Sequence, residues 1–269
     1  GWANATETAR LTATDGSLLT QFGYSVAIDG DTVVVGARSG SLNGAAYIYQ
    51  KPSTGWRNMT EIAQLLASDG TSGYSFGTSV AISGDTVVVG APNANVGPTT
   101  SPGAIYVFQK PSSGWVTMHQ TVKLATIDPD TFDDFGTSVA ISGNTAVASA
   151  PGNLSSRGAA YVFEAPSSGW TLARQVAKLT ASDGAANDQL GTSIAISGNT
   201  VVVGARYAEN SAGRTTGAAY VYVRPSDGWK NATESAKLTP SAAEAPNVDD
   251  FGISVAISGY EIVVGALHT

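Results

Sequence analysis

Short stretches of hydrophobic residues recur along the chain, and one clear copy covers residues 76–92. In this copy, small residues (Gly77, Ser79 and Ala81) alternate with larger ones between positions 77 and 82. Alternation with a period of two predicts a half-buried β-strand. Its small face would let another backbone approach closely, as the crowded centre of a radial assembly requires.

Three further strands are predicted in the same copy. Residues 83–86 (Ser-Gly-Asp-Thr) indicate a tight hairpin turn. The β-branched run at 87–89 is typical of a strand that is covered on both faces. A variable loop separates it from a third strand at 103–108. A Pro-Ser-Ser-Gly turn then precedes a fourth strand, predicted at 115–124.

The pattern occurs five times, and a period of this length indicates a repeat architecture. The copies begin at Phe22, Phe76, Phe135, Leu190 and Phe251. Four antiparallel strands per repeat describe one blade of a β-propeller. The sequence therefore predicts an all-β fold, a propeller of about five four-stranded antiparallel blades. We assign the whole chain, residues 1–269, to one domain with repeats at 1–54, 55–113, 114–168, 169–227 and 228–269.

The first and last repeats are expected to share a blade. A copy of the fourth strand at residues 2–12 precedes any first strand, whereas residues 251–266 provide a first and a second strand without a third. We expect the N-terminal strand to complete the last blade, because closed propellers leave no open sheet edge. The third strand would come from a continuation of the chain or from another molecule, or the blade is one strand short.

All five tryptophans occupy one repeat position, directly after a turn glycine. Repetition in every blade favours a packing role at the outer strand. The alternative is a set of aromatic platforms that bind sugar. The residues are Trp2, Trp56, Trp115, Trp170 and Trp229.

Composition limits the classes of partner. Hydrophobic residues make up 42% of the chain, enough for a core, and charged residues only 13%. The formal net charge of −7 argues against nucleic-acid binding, which needs a basic face. Without cysteine there is neither a disulfide framework nor a thiolate metal site. No apolar run approaches the ~18 residues of a membrane span, so none is predicted.

The repeated motifs resemble the FG-GAP repeat of integrin α-subunits, and more closely the FG-GAP proteins of bacteria and unicellular algae. Each copy carries versions of F-G-x-S-V-A and V-V-V-G-A-P, and the first four also carry G-A-x-Y-V-F. Residues 177–184 read A-K-L-T-A-S-D-G, with close versions at 9–16 and 63–70. The resemblance implies a β-propeller outside the cell or on its surface. It also implies a usually non-enzymatic module for adhesion or ligand binding.

Integrin-type repeats often hold Ca²⁺ in a D-x-D-x-D-G loop between the first two strands. Here that loop has shrunk to tight turns such as residues 29–31 and 83–85. One or two carboxylates in such a turn cannot enclose the ion. The integrin metal sites are therefore not expected in this chain, and no other cofactor is predicted.

A different loop, which lies between two blades in the third repeat, offers a candidate calcium site. Asp128, Asp130, Asp133 and Asp134 place four carboxylates within seven residues, and Ca²⁺ prefers such oxygen ligands. The alternative interpretation is a turn in which aspartates cap their own backbone.

Four N-glycosylation sequons occur. Asn4, Asn58 and Asn231 each lie two residues after a tryptophan, and Asn153 lies in a loop. We predict glycans at these four positions if the chain passes a glycosylating secretory route. Otherwise the repeated N-x-T is a polar strand pattern that was copied by duplication.

The sequence does not predict an enzyme. His119 and His268 have neither metal-ligand nor triad spacing, and no G-x-S-x-G elbow is present. We expect an extracellular or cell-surface structural or adhesion protein, a glycoprotein subunit of an assembly or filament joined by strand sharing. The alternative is a carbohydrate-binding, lectin-like propeller. The expected partners are therefore proteins, including copies of this chain, or glycans.

Overall fold

The computed structural model describes the chain in five segments: residues 6–16, 21–38, 43–210, 213–241 and 248–268. These residues form an all-β protein, as predicted, and half of the chain is strand. Helical turns are confined to α1 (Asn153–Ser156) and a 3-10 turn at Trp170–Leu172. The strands form successive antiparallel sheets, one per repeat, which we name A to E.

Strands are numbered in chain order. Each of sheets A to D takes its first three strands from one repeat and its fourth strand from the start of the next. Sheet A contains β2 (Phe22–Asp29), β3 (Thr32–Ala37), β4 (Ala45–Gln50) and β6 (Ala63–Leu66). Sheet B contains β7 (Ser79–Ser83), β8 (Thr86–Ala91), β9 (Ala104–Gln109) and β11 (Val122–Leu124). Sheet C contains β12 (Val139–Ser142), β13 (Thr145–Ala150), β14 (Ala159–Glu164) and β15 (Arg174–Thr180). Sheet D contains β16 (Leu190–Ser197), β17 (Thr200–Ala205), β18 (Ala218–Val223) and β20 (Ala236–Leu238), and sheet E contains β21 (Val248–Ser258) and β22 (Glu261–His268).

Four two-residue strands connect neighbouring repeats: β1 (Leu11–Thr12), β5 (Met59–Thr60), β10 (Met118–His119) and β19 (Ala232–Thr233). In parallel orientation, β5 pairs with β1, β10 with β6, and β19 with β15. The prediction of one continuous strand at 115–124 is therefore wrong. Its first part joins the preceding sheet, because the outer edge of that sheet offers backbone groups that need partners. Its second part, β11, pairs with β9 of its own sheet.

The second strands of sheets A to D lie in the protein core. Val87, Val88 and Val89 are fully buried, which confirms the predicted coverage on both faces. Val87 and Val89 belong to a core cluster shared with sheet A, and Val88 belongs to the cluster shared with sheet C. The sheets therefore pack face to face in chain order, and their first strands lie next to one another.

The small face of the first strand lies against the backbone of the next repeat, as predicted. Ser79 Oγ donates a hydrogen bond to the Gly136 carbonyl oxygen at 2.8 Å. A Cβ atom on Gly90 would lie 2.0 Å from the same oxygen. Ser25 and Ser193 donate equivalent bonds to the next repeat. The close approach explains why glycine and serine recur at these positions.

Sheet E consists of two strands among the described residues. The N-terminal strand β1 is paired with β5, and no strand pair joins it to sheet E within the described segments. Closure of a ring through a shared blade therefore stays a prediction. In the described part of the chain, no helix is long and apolar enough to cross a membrane.

Candidate interaction surface

Every junction between neighbouring sheets buries the same kinds of side chain. We call the side that a sheet turns toward the next repeat its trailing face, and the opposite side its leading face. At the A–B junction, Val34 and Ile48 from the trailing face of sheet A share a core cluster with Val80 and Val87 from the leading face of sheet B. Corresponding clusters join B to C, C to D and D to E.

The third strand of each repeat divides its side chains between these two faces. Ile105 and Val107 of β9 belong to the cluster shared with sheet C. Tyr106 and Phe108 point to the leading side and pack edge-on against Phe76, with ring centroids 5.3 and 6.1 Å away. Aliphatic residues therefore cover the next sheet, while aromatic residues pack within their own repeat.

The leading face of sheet A differs from all the others, because much of it is uncovered. Tyr24, Val26 and Ile28 on β2 are 50%, 67% and 65% exposed. At the position of Val26, by contrast, Val80 and Ile194 in sheets B and D are each 8% exposed. The sequence pattern is the same, so the difference comes from the missing neighbour.

An apolar groove lies beside this face. It has a volume of about 290 Å³ and is lined by Leu11 of β1, Ile28, Val33 and Trp56, with residues 7–9 at its rim. Trp56 is only partly covered, whereas the equivalent Trp115, Trp170 and Trp229 are buried. The groove therefore lies between the N-terminal strand β1 and hydrophobic residues of sheet A.

At the other end of the array, the trailing face of sheet E is also uncovered. Val263 is 68% exposed. The equivalent valines of sheets B, C and D, Val88, Val147 and Val202, are fully buried against the next sheet. The first and last sheets of the described array thus expose a leading face and a trailing face, the two kinds of face that are buried against each other at every internal junction.

Hydrogen bonds from the segment after each tryptophan fasten it to the preceding sheet. The residue five positions after tryptophan accepts from a backbone N–H beyond the preceding fourth strand: Glu61 from Thr14 at 3.0 Å, Gln120 from Ser68 at 2.9 Å, Gln175 from Ile127 at 3.1 Å and Glu234 from Ser182 at 2.9 Å. The sequence shows glutamate or glutamine at this position in every repeat. This regularity could have predicted the contact, but the sequence interpretation missed it.

A charged latch also crosses the junctions. Asp69, in the loop after sheet A, accepts hydrogen bonds from Tyr106 Oη at 2.9 Å and from Lys123 Nζ at 2.6 Å, both in sheet B. Burial alone would raise the pKa of Asp69, but the hydrogen bonds from Lys123 and Tyr106 outweigh it and hold the pKa below its usual value. The Asp183–Tyr220–Lys237 set repeats the arrangement between sheets C and D.

The four aspartates of the predicted calcium loop have separate roles in the structure. Asp128 pairs with Lys178 at 3.1 Å. Asp133 is buried, and its two carboxylate oxygens accept from the Asp130 backbone N–H at 3.0 Å and from Asn153 Nδ2 at 3.1 Å. Such a turn is the alternative interpretation of this loop. Within the described segments, no group of three or more His, Asp or Glu side chains is arranged to hold a metal ion, and calcium binding here stays a prediction.

Burial also affects the acidity of this loop. It raises the pKa of Asp133, and the nearby charge of Asp130 adds to the rise, while hydrogen bonds oppose it. The pKa of Asp134 is raised by burial and then by the charge of Asp133. The pKa values of Asp133 and Asp134 are therefore raised, whereas the pKa of Asp69 is lowered by its hydrogen bond from Lys123.

The sequons occupy different environments. Asn58 and Asn231 are exposed, and their side-chain oxygens accept backbone hydrogen bonds from Arg10 and Lys178, each at 2.8 Å. These contacts use the side-chain oxygen and not the amide nitrogen, the atom to which a glycan would be attached. Glycosylation at both positions stays a prediction. Asn153 is buried, and its amide nitrogen donates a hydrogen bond to Asp133. In the folded chain, this side chain is therefore not accessible for glycosylation. Asn4 lies outside the described residues.

The tryptophans behave as packing residues wherever they are buried. Trp115, Trp170 and Trp229 each belong to the core cluster of a junction. Trp2 lies outside the described residues. Of the two histidines, His119 lies on the short strand β10, and the side chain of His268 is not described.

Comparison with known proteins places these features in a family. The family model for the FG-GAP repeat matches residues 5–49, 59–108, 118–163, 173–222 and 232–269. No curated protein matches the chain. Among solved structures, the chain resembles a protein from Bacteroides uniformis proposed to be a 6-phosphogluconolactonase, with a TM-score of 0.54 and 11% sequence identity, over 91% of this chain and 70% of that one.

At this identity the structural likeness bears on the fold alone. The family match is different in kind, because the five matched segments cover most of the chain and coincide with the repeats seen in both sequence and structure. On this ground, the chain belongs to the FG-GAP repeat family.

Proposed function

We propose that this chain is a non-catalytic interaction module of an extracellular or cell-surface protein, with its repeats arranged as the blades of a propeller. The observation that carries the proposal is the uncovered leading face of sheet A, where Val26 and Ile28 are two-thirds exposed. Contiguous apolar surface of this kind is typical of protein association sites.

The energetics favour a partner for this face. Burying an exposed valine or isoleucine side chain contributes about 2 kcal/mol, and Val26 and Ile28 lie on the same side of one strand. The equivalent side chains of the following sheets obtain this contribution from the preceding repeat. A protein surface that resembles the trailing face of a repeat would supply it to sheet A.

The opposite end of the array supports the same proposal. Inside the chain, a turn residue of one sheet accepts a hydrogen bond from the turn glycine of the next, as Ser83 does from Gly143 at 3.1 Å. Ser258 and Gly30 hold the corresponding positions at the two ends. We propose that leading and trailing faces of these kinds meet between the molecules of an assembly.

The alternatives have less support. A carbohydrate-binding propeller would present aromatic faces to a sugar, yet three of the tryptophans are buried in junctions. A catalytic function would need a reactive pair of side chains, and the structural likeness to the Bacteroides protein is one of fold. Protein association is therefore the function that we propose.

Sedimentation velocity over a range of concentrations tests this proposal. We expect the mass of the native chain to rise with concentration, because complementary apolar faces are exposed at its two ends. Val26→Asp should remain monomeric, since a charge would have to be buried at the contact. Ile127→Asp is the matched control: Ile127 is 81% exposed in a loop away from both faces, and this variant should associate like the native chain.

A further inference from the structure

We propose that the groove beside β1 receives an extended segment of a second polypeptide, which adds to β1 as a β-strand. This inference rests on the proposed function and names the partner: a segment with the third-strand pattern of the repeat, in which small and aliphatic residues alternate with aromatic ones. Such strand addition combines backbone hydrogen bonds with pockets for alternate side chains.

The pairing rule of the repeat supports the proposal. In sheet A the third strand is antiparallel to the fourth, with Ala46 opposite Leu65 and Ile48 opposite Ala63. Sheets B and D use the same register, with Leu124 opposite Ile105 and Leu238 opposite Ala219. A third strand therefore accompanies every complete fourth strand.

The N-terminal strand β1 is a fourth strand by sequence. Leu11 holds the position of Leu65, and Ala9 holds that of Ala63. One edge of β1 pairs in parallel with β5, as the edge of β6 does with β10. Among the described residues, no strand pairs with its other edge. A third strand would be opposite residues 9–11.

The side chains around the groove provide the second argument. In the A–B cluster, Leu65, Val87 and Trp115, with Ile82 packed against it, surround Ala46 and Ile48 of the third strand. The groove is lined by the residues equivalent to those four: Leu11, Val33, Trp56 and Ile28. The cluster that contains Leu11 and Trp56 includes no residue from a preceding third strand.

The groove thus corresponds to the pocket of an internal junction from which the third strand is missing. At the other junctions, the third-strand residues equivalent to Ala46 and Ile48 occupy this pocket. They are Ile105 and Val107, Ala160 and Val162, and Ala219 and Val221. This recurrence defines the ligand. The side chain at the second position of the pair is β-branched and uncharged in all of them, because a charged one would be buried among apolar groups.

A peptide that copies residues 217–223 (Gly-Ala-Ala-Tyr-Val-Tyr-Val), with two lysines at each end for solubility, tests this proposal. Fluorescence anisotropy of the labelled peptide should show saturable binding to the native chain. A matched peptide with Val221→Asp should bind at least tenfold more weakly, because its central side chain would carry a charge into the groove. Absence of binding by the native peptide, or equal binding by both, would overturn the proposal.

Protein variants locate the site. Ile28→Asp should weaken binding of the native peptide at least tenfold, whereas Ile127→Asp should leave it unchanged. Ile28 is already 65% exposed, so the variant is expected to fold, which circular dichroism checks. Hydrogen exchange gives an independent readout: the bound peptide should protect the backbone amides of Ala9 and Leu11, because that of Arg10 already donates to Asn58. Equal binding by Ile28→Asp, or protection elsewhere only, would contradict the assignment to this groove.

The two proposals can fail separately. If the native chain associates through Val26 but does not bind the peptide, the proposed function stands and the strand-addition site is wrong. If neither association nor peptide binding occurs, both are wrong.

Discussion

Val26 in sheet A and Val80 in sheet B are the same side chain at the same position of the repeat, yet one is exposed and the other buried. The strands that carry them have similar sequences and turns. Only the presence of a preceding sheet differs. In this repeat protein a core residue is therefore defined by the neighbouring unit as much as by its own, as expected for nearest-neighbour architectures.

The largest expected effect comes from placing a charge at each of these two positions. Val80→Asp should lower the free energy of unfolding by about 4 kcal/mol, because an unpaired carboxylate would be buried at the A–B junction. Val26→Asp should change it by less than about 0.5 kcal/mol, since water already reaches that site. Urea unfolding of both variants, at a protein concentration where the native chain is monomeric, measures the difference. Equal losses would show that the leading face of sheet A is covered in solution.

A smaller effect is expected from adding a methyl group at the close approach. Gly90→Ala should cost about 3 kcal/mol, because the new Cβ would meet the Gly136 carbonyl oxygen of the next repeat. Gly265→Ala is the matched change in sheet E, where the nearest atoms belong to the Ser254 side chain, which can rotate away. Its cost should be below about 1 kcal/mol, because no backbone atom lies closer than 3.7 Å to the new methyl group. Thermal unfolding compares the two, and a severe loss in Gly265→Ala would indicate that another backbone also lies against sheet E.

The smallest effect concerns the charged latch. Sheets B, C and D contribute a lysine to it: Lys123, Lys178 and Lys237. Sheet A has Gln64 at the same position. Because the folded-state pKa of Asp69 is lowered, its ionised form stabilises the fold above its unfolded pKa of about 4. This contribution is lost as the pH falls through the lower, folded value.

Lys123→Met should therefore cost about 0.5 kcal/mol at pH 7, a small value because Asp69 is 42% exposed and water screens the pair. The cost should decrease as the pH falls through the lowered folded-state pKa of Asp69, because below it the carboxylate is protonated in both variants. Lys110→Met removes an ion pair within sheet B, whose partner Asp85 is more exposed, and serves as control. Urea unfolding at pH 3, 5 and 7 measures both. A cost for Lys123→Met that does not change with pH would mean that packing, and not charge, is what Lys123 contributes.

The strands and their order could be predicted from the sequence, because periodicity and turn residues are local signals. The valine run of β8 and the small face of β7 were both identified in this way, and the structure confirms them. Five copies of each signal made the prediction firm. The family was evident for the same reason.

Contacts between repeats could not be predicted in the same way. The division of residues 115–124 between two sheets depends on the unpaired edge of β6, a property of another repeat. The burial of Asn153 follows from its contact with Asp133, 20 residues earlier. The exposure of Ile28 and Trp56 depends on a neighbour that the repeat pattern alone does not reveal.

The short parallel strands β5, β10 and β19 have a consequence for how such a gene can change. Three units carry, just after their tryptophan, a short strand that pairs with the unit before, and the unit after Trp170 makes the corresponding contact through Gln175. A duplicated unit would therefore already contain the residues that bind it to the unit before. The number of units could then increase or decrease by recombination without the evolution of a new contact. Selection could then act on the number of repeats while the junctions between them stayed the same.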